Sequence, residues 1–262
     1  MRHGVWTVLF VLVLAGVVLA DSEQEVFDPN EVVVSNPAPL TAFEWPDVVL
    51  YDNGPLVTHP GGGAGGADVS AVQNALGMTT NGFGNQFSAG YSLADDFTVT
   101  DAAGWQIDDI TFFGYQTDST TTSTITGVYV QIWDGPPNAG GTVVWGDLTT
   151  NRLLTTGWSN IYRAADTTLT ATNRPVMENV ATIGTTLAQG TYWLQWSADG
   201  SLASGPWAPP ITILGQTTTG NALQYTTAWA AIADVGSLTP QGLPFIINGA
   251  VVPVELQSFS VE

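Results

Sequence analysis

The chain contains no cysteine and no lysine. Beyond residue 20 it keeps one histidine, His59, and three arginines, Arg152, Arg163 and Arg174. Nucleophile–base pairs, Schiff bases and most zinc or copper sites draw on Cys, His or Lys. Their scarcity weighs against most enzyme classes. Nucleic-acid binding needs clustered Lys and Arg, and no such cluster exists here. Without cysteine no disulfide can form. Stability must come from a large core, with bound metal as a further source.

What is present is acid, tryptophan and small polar residues. All 23 Asp and Glu lie beyond residue 20, against three Arg, which sets that part of the chain at −20. Such a charge repels phosphate backbones, favours solubility and attracts divalent cations. Arg2 and His3 open the chain, Val5 to Leu19 is apolar, and Val18-Leu19-Ala20 precedes Asp21. The order basic, apolar, small, acidic reads as a cleaved export signal over residues 1–20. The run is short for a bilayer span of about 20 residues. No later segment is apolar for long enough to cross a membrane. Residues 21–46 are acidic and Pro-bearing, a flexible leader by composition. Residues 47–262 then suit one domain.

From Ala94 onward the period is two. Val128, Val130 and Ile132 alternate with Tyr129, Gln131 and Trp133, and Tyr192, Leu194 and Trp196 share a face. Further strands are expected at Val48–Tyr51, Asp96–Val99, Ile107–Tyr115, Thr142–Trp145, Met177–Ile183, Ile211–Leu214, Ala222–Thr226, Phe245–Asn248 and Val254–Val261. Asp68–Leu76 reads as one short helix with Asp68 or Ser70 as its cap. Many short alternating strands separated by Gly, Pro, Asn and Asp indicate an all-β fold, an antiparallel β-sandwich or jelly roll. Edge strands normally carry Lys to block pairing between sheets. A chain without Lys must use Asp, Pro and Gly instead, or leave an edge open for self-association. The Gly61–Gly66 loop lacks the Lys-Ser/Thr that a phosphate loop requires.

Two residue types could make a site. Acidic residues stand at Asp95-Asp96 and Asp108-Asp109, and calcium takes six to eight oxygens, often from such side chains. Asp95, Asp96, Asp108 and Asp109 are therefore candidate ligands of a structural Ca2+. The competing reading is that Asp simply favours turns. Nine tryptophans remain beyond residue 20. Their flat faces could stack on sugars, or they could fill the core. Trp133 and Trp193 lie opposite aliphatic strand faces. Trp207, in the stiff loop Ser204-Gly205-Pro206-Trp207-Ala208-Pro209-Pro210, is the strongest candidate for a ligand contact. A hydrolase using two carboxylates stays open. Yet within the expected domain, apart from the last residue Glu262, only Glu178 and Glu255 are glutamates, and no pair of acids stands out. His59 has no second His or Cys to work with.

Several stretches carry a resemblance. They include Ile132-Trp133-Asp134-Gly135-Pro136-Pro137, Thr172-Asn173-Arg174-Pro175-Val176-Met177, Gly190-Thr191-Tyr192-Trp193-Leu194 and Gly205-Pro206-Trp207-Ala208-Pro209-Pro210. Gly220-Asn221-Ala222-Leu223-Gln224 and Gln241-Gly242-Leu243-Pro244-Phe245 belong with them. Together they resemble a recurrent β-rich region of secreted and cell-surface bacterial proteins, with no assigned chemistry. Pro253-Val254-Glu255-Leu256-Gln257-Ser258-Phe259 is similar to the junction that precedes sorting domains in type IX secretion substrates. The sequence stops at Glu262, so that sorting domain is not in it. The resemblance implies an extracellular protein without naming a ligand.

These readings converge on a secreted, non-catalytic binding or structural module at the cell surface or in the matrix, calcium-stabilised and self-associating. A carbohydrate-binding module using loop tryptophans is the alternative, and a glycoside hydrolase the second.

Overall fold

The computed structural model describes residues 48–253. The export signal, the leader and the expected strand Val254–Val261 lie outside them. Among the described residues no helix is long and apolar enough to cross a membrane.

The fold is all-β, as the alternation requires. Fourteen strands follow in order: β1 (Val48–Asp52), β2 (Asp68–Val72), β3 (Phe83–Gly84), β4 (Ser92–Val99), β5 (Trp105–Gly114), β6 (Ile125–Trp133) and β7 (Val143–Asp147), then β8 (Leu153–Ala165), β9 (Pro175–Leu187), β10 (Gly190–Gly200), β11 (Trp207–Ala208), β12 (Leu223–Tyr225), β13 (Trp229–Ala231) and β14 (Phe245–Val251). They build two six-stranded sheets, ordered β1-β14-β5-β9-β8-β2 and β13-β12-β4-β10-β6-β7, and a small β11-β3 ribbon. All pairings are antiparallel except β2 with β8.

The period of two decides which side chains meet between the sheets. Val128, Val130 and Ile132 of β6 and Leu194 and Trp196 of β10 turn inward, where they join Ile107, Ile110 and Phe112 of β5 and Phe245 and Ile247 of β14 in one core. Aromatic rings bridge the two sheets. Phe112 and Trp196 lie 5.0 Å apart between centroids, and Phe97 and Phe245 meet edge to face at 6.3 Å. The edge strands β1, β2, β7 and β13 are all five residues or shorter. Short edges offer little ladder to an incoming strand.

Asp68–Leu76 is not a helix. Asp68–Val72 forms β2, which runs parallel to β8, and a single 3-10 turn, Asn74–Leu76, follows and ends at left-handed Gly77 (φ 80°). Val69, Ser70, Ala71 and Val72 are all buried, so the stretch shows no alternation and imitates a helix start. Tertiary hydrogen bonds, including one from Arg163 to the Ser70 hydroxyl, override local propensity. Ile211–Leu214 is not a strand either. Its amides serve two different partners, Ile211 donating to Gly242 O and Thr212 to Pro55 O, and the preceding Pro209-Pro210 offer no N–H for a ladder. The long strand β8 escaped the pattern because it is irregular between Trp158 and Ile161, where Asn160 takes φ 62°.

Candidate functional site

Trp207 stands just beyond the C-terminal end of β5. Its backbone is gripped from two sides. It exchanges both hydrogen bonds with Tyr115, at 2.8 and 2.9 Å, and pairs with Gly84 in the β11-β3 ribbon. The loop before it turns through Gly205 (φ 96°) and a cis Gly205–Pro206 peptide. A Cβ at Gly205 would approach the indole Cδ1 to 2.6 Å, so only glycine lets the loop fold this close under the ring. The indole N–H donates to Ser204 Oγ at 3.3 Å. The half-buried ring is thus held in place by backbone on both sides.

Three surface depressions share this tryptophan. One of about 450 Å³ is walled by Trp207, Tyr115, Arg174, Ser204 and the segment Thr79–Gly82. A second, of about 600 Å³, runs past Gln86, Tyr91, Pro206 and Gln224. A third, of about 370 Å³, is lined by Phe83, Gln224, Ile232 and Val235. The first two linings mix aromatic, hydroxyl and amide groups, and the third is mainly apolar. No Asp, Glu or His contributes to any of the three.

The Thr79–Gly82 wall has no regular structure of its own and is held by two buried ions. Arg163, 1% exposed, donates Nε to Asn81 O (2.8 Å) and Nη2 to Thr80 O (2.9 Å), while Nη1 reaches the Ser70 and Thr212 hydroxyls. Burial lowers its pKa to about 10, and nearby Asp234 opposes the shift, so it stays charged at neutral pH. Asp234, also 1% exposed, accepts the amides of Thr79, Thr80, Gly236 and Ser237. Burial alone would raise its carboxyl, but the Ser237, Thr80 and Thr79 amides outweigh it and hold the pKa below the usual range. Tyr115 closes the floor. Burial pushes its hydroxyl up to about 12 despite Arg163 and Arg174 close by, so it serves as a neutral hydrogen-bonding group.

The other nominated tryptophans lie elsewhere. Trp133 and Trp193 sit directly opposite each other on β6 and β10, on the outer face of the second sheet. There they pack with Ala94, Leu223 and Trp229 in an apolar layer. Trp193 is only 7% exposed, and the Trp133 indole N–H is bonded to Gln195 Oε1 at 2.9 Å. Both pack in that outer layer, whereas Trp207 walls the three depressions described above.

The four nominated aspartates are spread over both sheets. Asp95 and Asp96 are consecutive on β4 and so project to opposite faces. Asp95 is buried and accepts N–H groups from Asn53, Asp96 and Leu243. Asp108 and Asp109 sit at an irregularity of β5 in the other sheet, where Asp108 accepts from Gln106 and Asp109 from Asn248. Among the described residues no three His, Asp or Glu side chains gather as a metal site would need. His59 hydrogen-bonds its neighbour Thr58, Glu178 is exposed on β9, and Glu255 lies outside the described residues.

Sequence reasoning nominated Trp207 but not Arg174, Tyr115 or the Arg163–Asp234 support beside it. A signal was available. Three arginines beyond residue 20, in a chain otherwise so acidic, each need a structural or functional reason. No protein-family model, curated protein or solved structure matches this chain.

Proposed function

We propose that this chain is an exported, non-catalytic module that binds carbohydrate in the Trp207 cleft. One observation carries the reading. A single tryptophan, its backbone clamped between Tyr115 and Gly84, forms the common wall of three depressions, two of which are rich in hydroxyl and amide side chains. An aromatic face covers the apolar face of a pyranose, and hydroxyls and amides satisfy its OH groups. Preorganisation of the ring keeps the ordering cost of binding low. The absence of Asp, Glu and His from the lining supports binding over hydrolysis, which needs positioned acids and bases. Export rests on the basic–apolar–small–acidic order of the first residues and on the resemblance to secreted β-rich regions.

The test is retention on a panel of immobilised neutral and acidic polysaccharides, followed by titration with quenching of tryptophan fluorescence. Trp207→Ala is expected to abolish binding while the circular dichroism spectrum and melting temperature stay near those of the parent. Binding that survives this substitution unchanged, or no binding across the panel, overturns the reading.

A further inference from the structure

The distribution of cations narrows the ligand class. Arg152 is committed to Asp147, at 3.4 Å, and lies over the Trp145 ring at 4.4 Å. Arg163 is fully engaged beneath the cleft wall. Arg174 is different. It lines the same depression as Trp207, where its guanidinium meets the Tyr115 hydroxyl and makes a long 3.4 Å contact to its neighbour Asn173. Among the described residues it pairs with no carboxylate, although the chain is crowded with them. A guanidinium has five N–H donors in a planar fork that matches a carboxylate. Most of that fork is unused.

The fold places two positive charges here together. The backbone N–H of Arg163 donates to the carbonyl of Arg174 at 2.9 Å, so one β8–β9 connection delivers one arginine under the cleft and the other into its wall. Both charges act on Tyr115 between them. The opposing charges close by are Asp234 and Asp118. Asp234 is saturated by four amides and the Ser237 hydroxyl. Asp118 is exposed to water, and its backbone N–H donates to Asn173 O. The overall charge of −20 acts from further away and is screened beyond about 8 Å at physiological salt.

We infer that the cleft selects a carboxylate-bearing sugar, a uronic acid residue of an acidic polysaccharide, with the ring on Trp207 and the acid on Arg174. This rests on the carbohydrate reading above. Charge-assisted hydrogen bonds of this kind contribute about 1.5–3 kcal/mol, which converts to a preference of about tenfold or more.

The experiment compares polygalacturonate and alginate with their methyl esters. The esters keep the sugar backbone and lose the charge. The full chain is titrated calorimetrically at pH 7 in physiological salt, with a sulfated galactan as a third arm. At least one uronate polymer is expected to bind about tenfold more tightly than its ester. Arg174→Gln should bring that ratio to about one while Trp207-dependent binding to the ester persists, and Arg174→Lys should restore part of it. Equal binding of acid and ester overturns the inference and leaves the carbohydrate reading standing. So does tighter binding of the sulfated polymer, or an unchanged ratio in a folded Arg174→Gln protein. No binding to any glycan, charged or neutral, overturns both.

Discussion

Arg163 and Asp234 hold the same short segment from opposite sides, one by its carbonyls and the other by its amides. Arg163 takes the oxygens of Thr80 and Asn81, and Asp234 takes the N–H groups of Thr79 and Thr80. The two ions do not form a salt bridge with each other, yet each sits within reach of the other's field. Removing one should therefore disturb the other through three residues of backbone. Arg163→Met leaves two carbonyls without donors in a buried site, while Ser70 and Thr212 can still bond each other at 3.1 Å. The expected loss is about 3 kcal/mol or more. Combined with Asp234→Asn, the losses should fall short of additivity by about 0.5–3 kcal/mol. Chemical denaturation of the four proteins measures this, and strict additivity contradicts a shared segment.

Gly205→Ala tests whether the loop sets the indole. Alanine at φ 96° costs about 1–2 kcal/mol, and its methyl would meet the ring edge at 2.6 Å. Stability should fall modestly, whereas glycan binding should fall to background. Full affinity in the variant would show that the ring finds its place without the glycine.

Trp193→Ala should behave in the opposite way. The side chain is 7% exposed and packs in the outer layer of the second sheet. Its truncation should cost about 3–5 kcal/mol and leave the affinity of the remaining folded protein unchanged. A thermal melt paired with a binding titration separates the two effects. Loss of binding with stability intact would move the ligand to the sheet face.

Asp95 makes stability depend on pH. Burial raises its carboxyl to about 7, against the N–H donors of Leu243, Asp96 and Asn53. Its value in an unfolded chain is about 3.9. The folded protein thus holds the proton more tightly than the unfolded one. Its contribution is fully present below about pH 4, declines as pH rises toward about 7, and is level above. The depressed carboxylates Asp134, Asp147 and Asp234 act in the other direction and below pH 4. Asp95→Asn should lower stability overall, because its amide faces N–H donors, and should flatten the slope between pH 4 and 7. Denaturation midpoints at half-unit pH steps check this. A parent protein that gains stability across that interval refutes the assignment.

Much of the sandwich was legible because alternation is a local signal. In β6 the inward set Val128, Val130 and Ile132 alternates with Tyr129, Gln131 and Trp133, and in β10 Leu194 and Trp196 enter the same core although both faces of that strand are buried. Where burial is continuous, as in Val69–Val72, the same logic has nothing to alternate and a helix fits as well as a strand. Irregularity hid β8, since the break after Trp158 shifts the face of every later residue. The site was legible only in its tryptophan. Trp207 could be singled out by the prolines and glycine around it. The Thr79–Gly82 wall carries no motif, and Arg163 and Arg174 become neighbours only through a strand connection. Asp95 could be read from the sequence only as an acid, since its N–H donors Asn53 and Leu243 come from distant segments.

The pairing of β1 with β14 has a consequence for how the module could be deployed. Val48 pairs with Gly249, so the chain enters and leaves the described fold side by side. Both points lie near the Trp105 end of β5, since Val251 pairs with Trp105 and Gly249 with Ile107. Trp207 lies past the other end of that strand, beside Tyr115. Ten residues of extended chain separate these ends, about 30 Å. The described fold is therefore entered and left at the pole opposite the cleft. The domain could be anchored through its ends and still hold Trp207 outward, and a circular permutant joined across residues 48 and 251 should leave the cleft untouched.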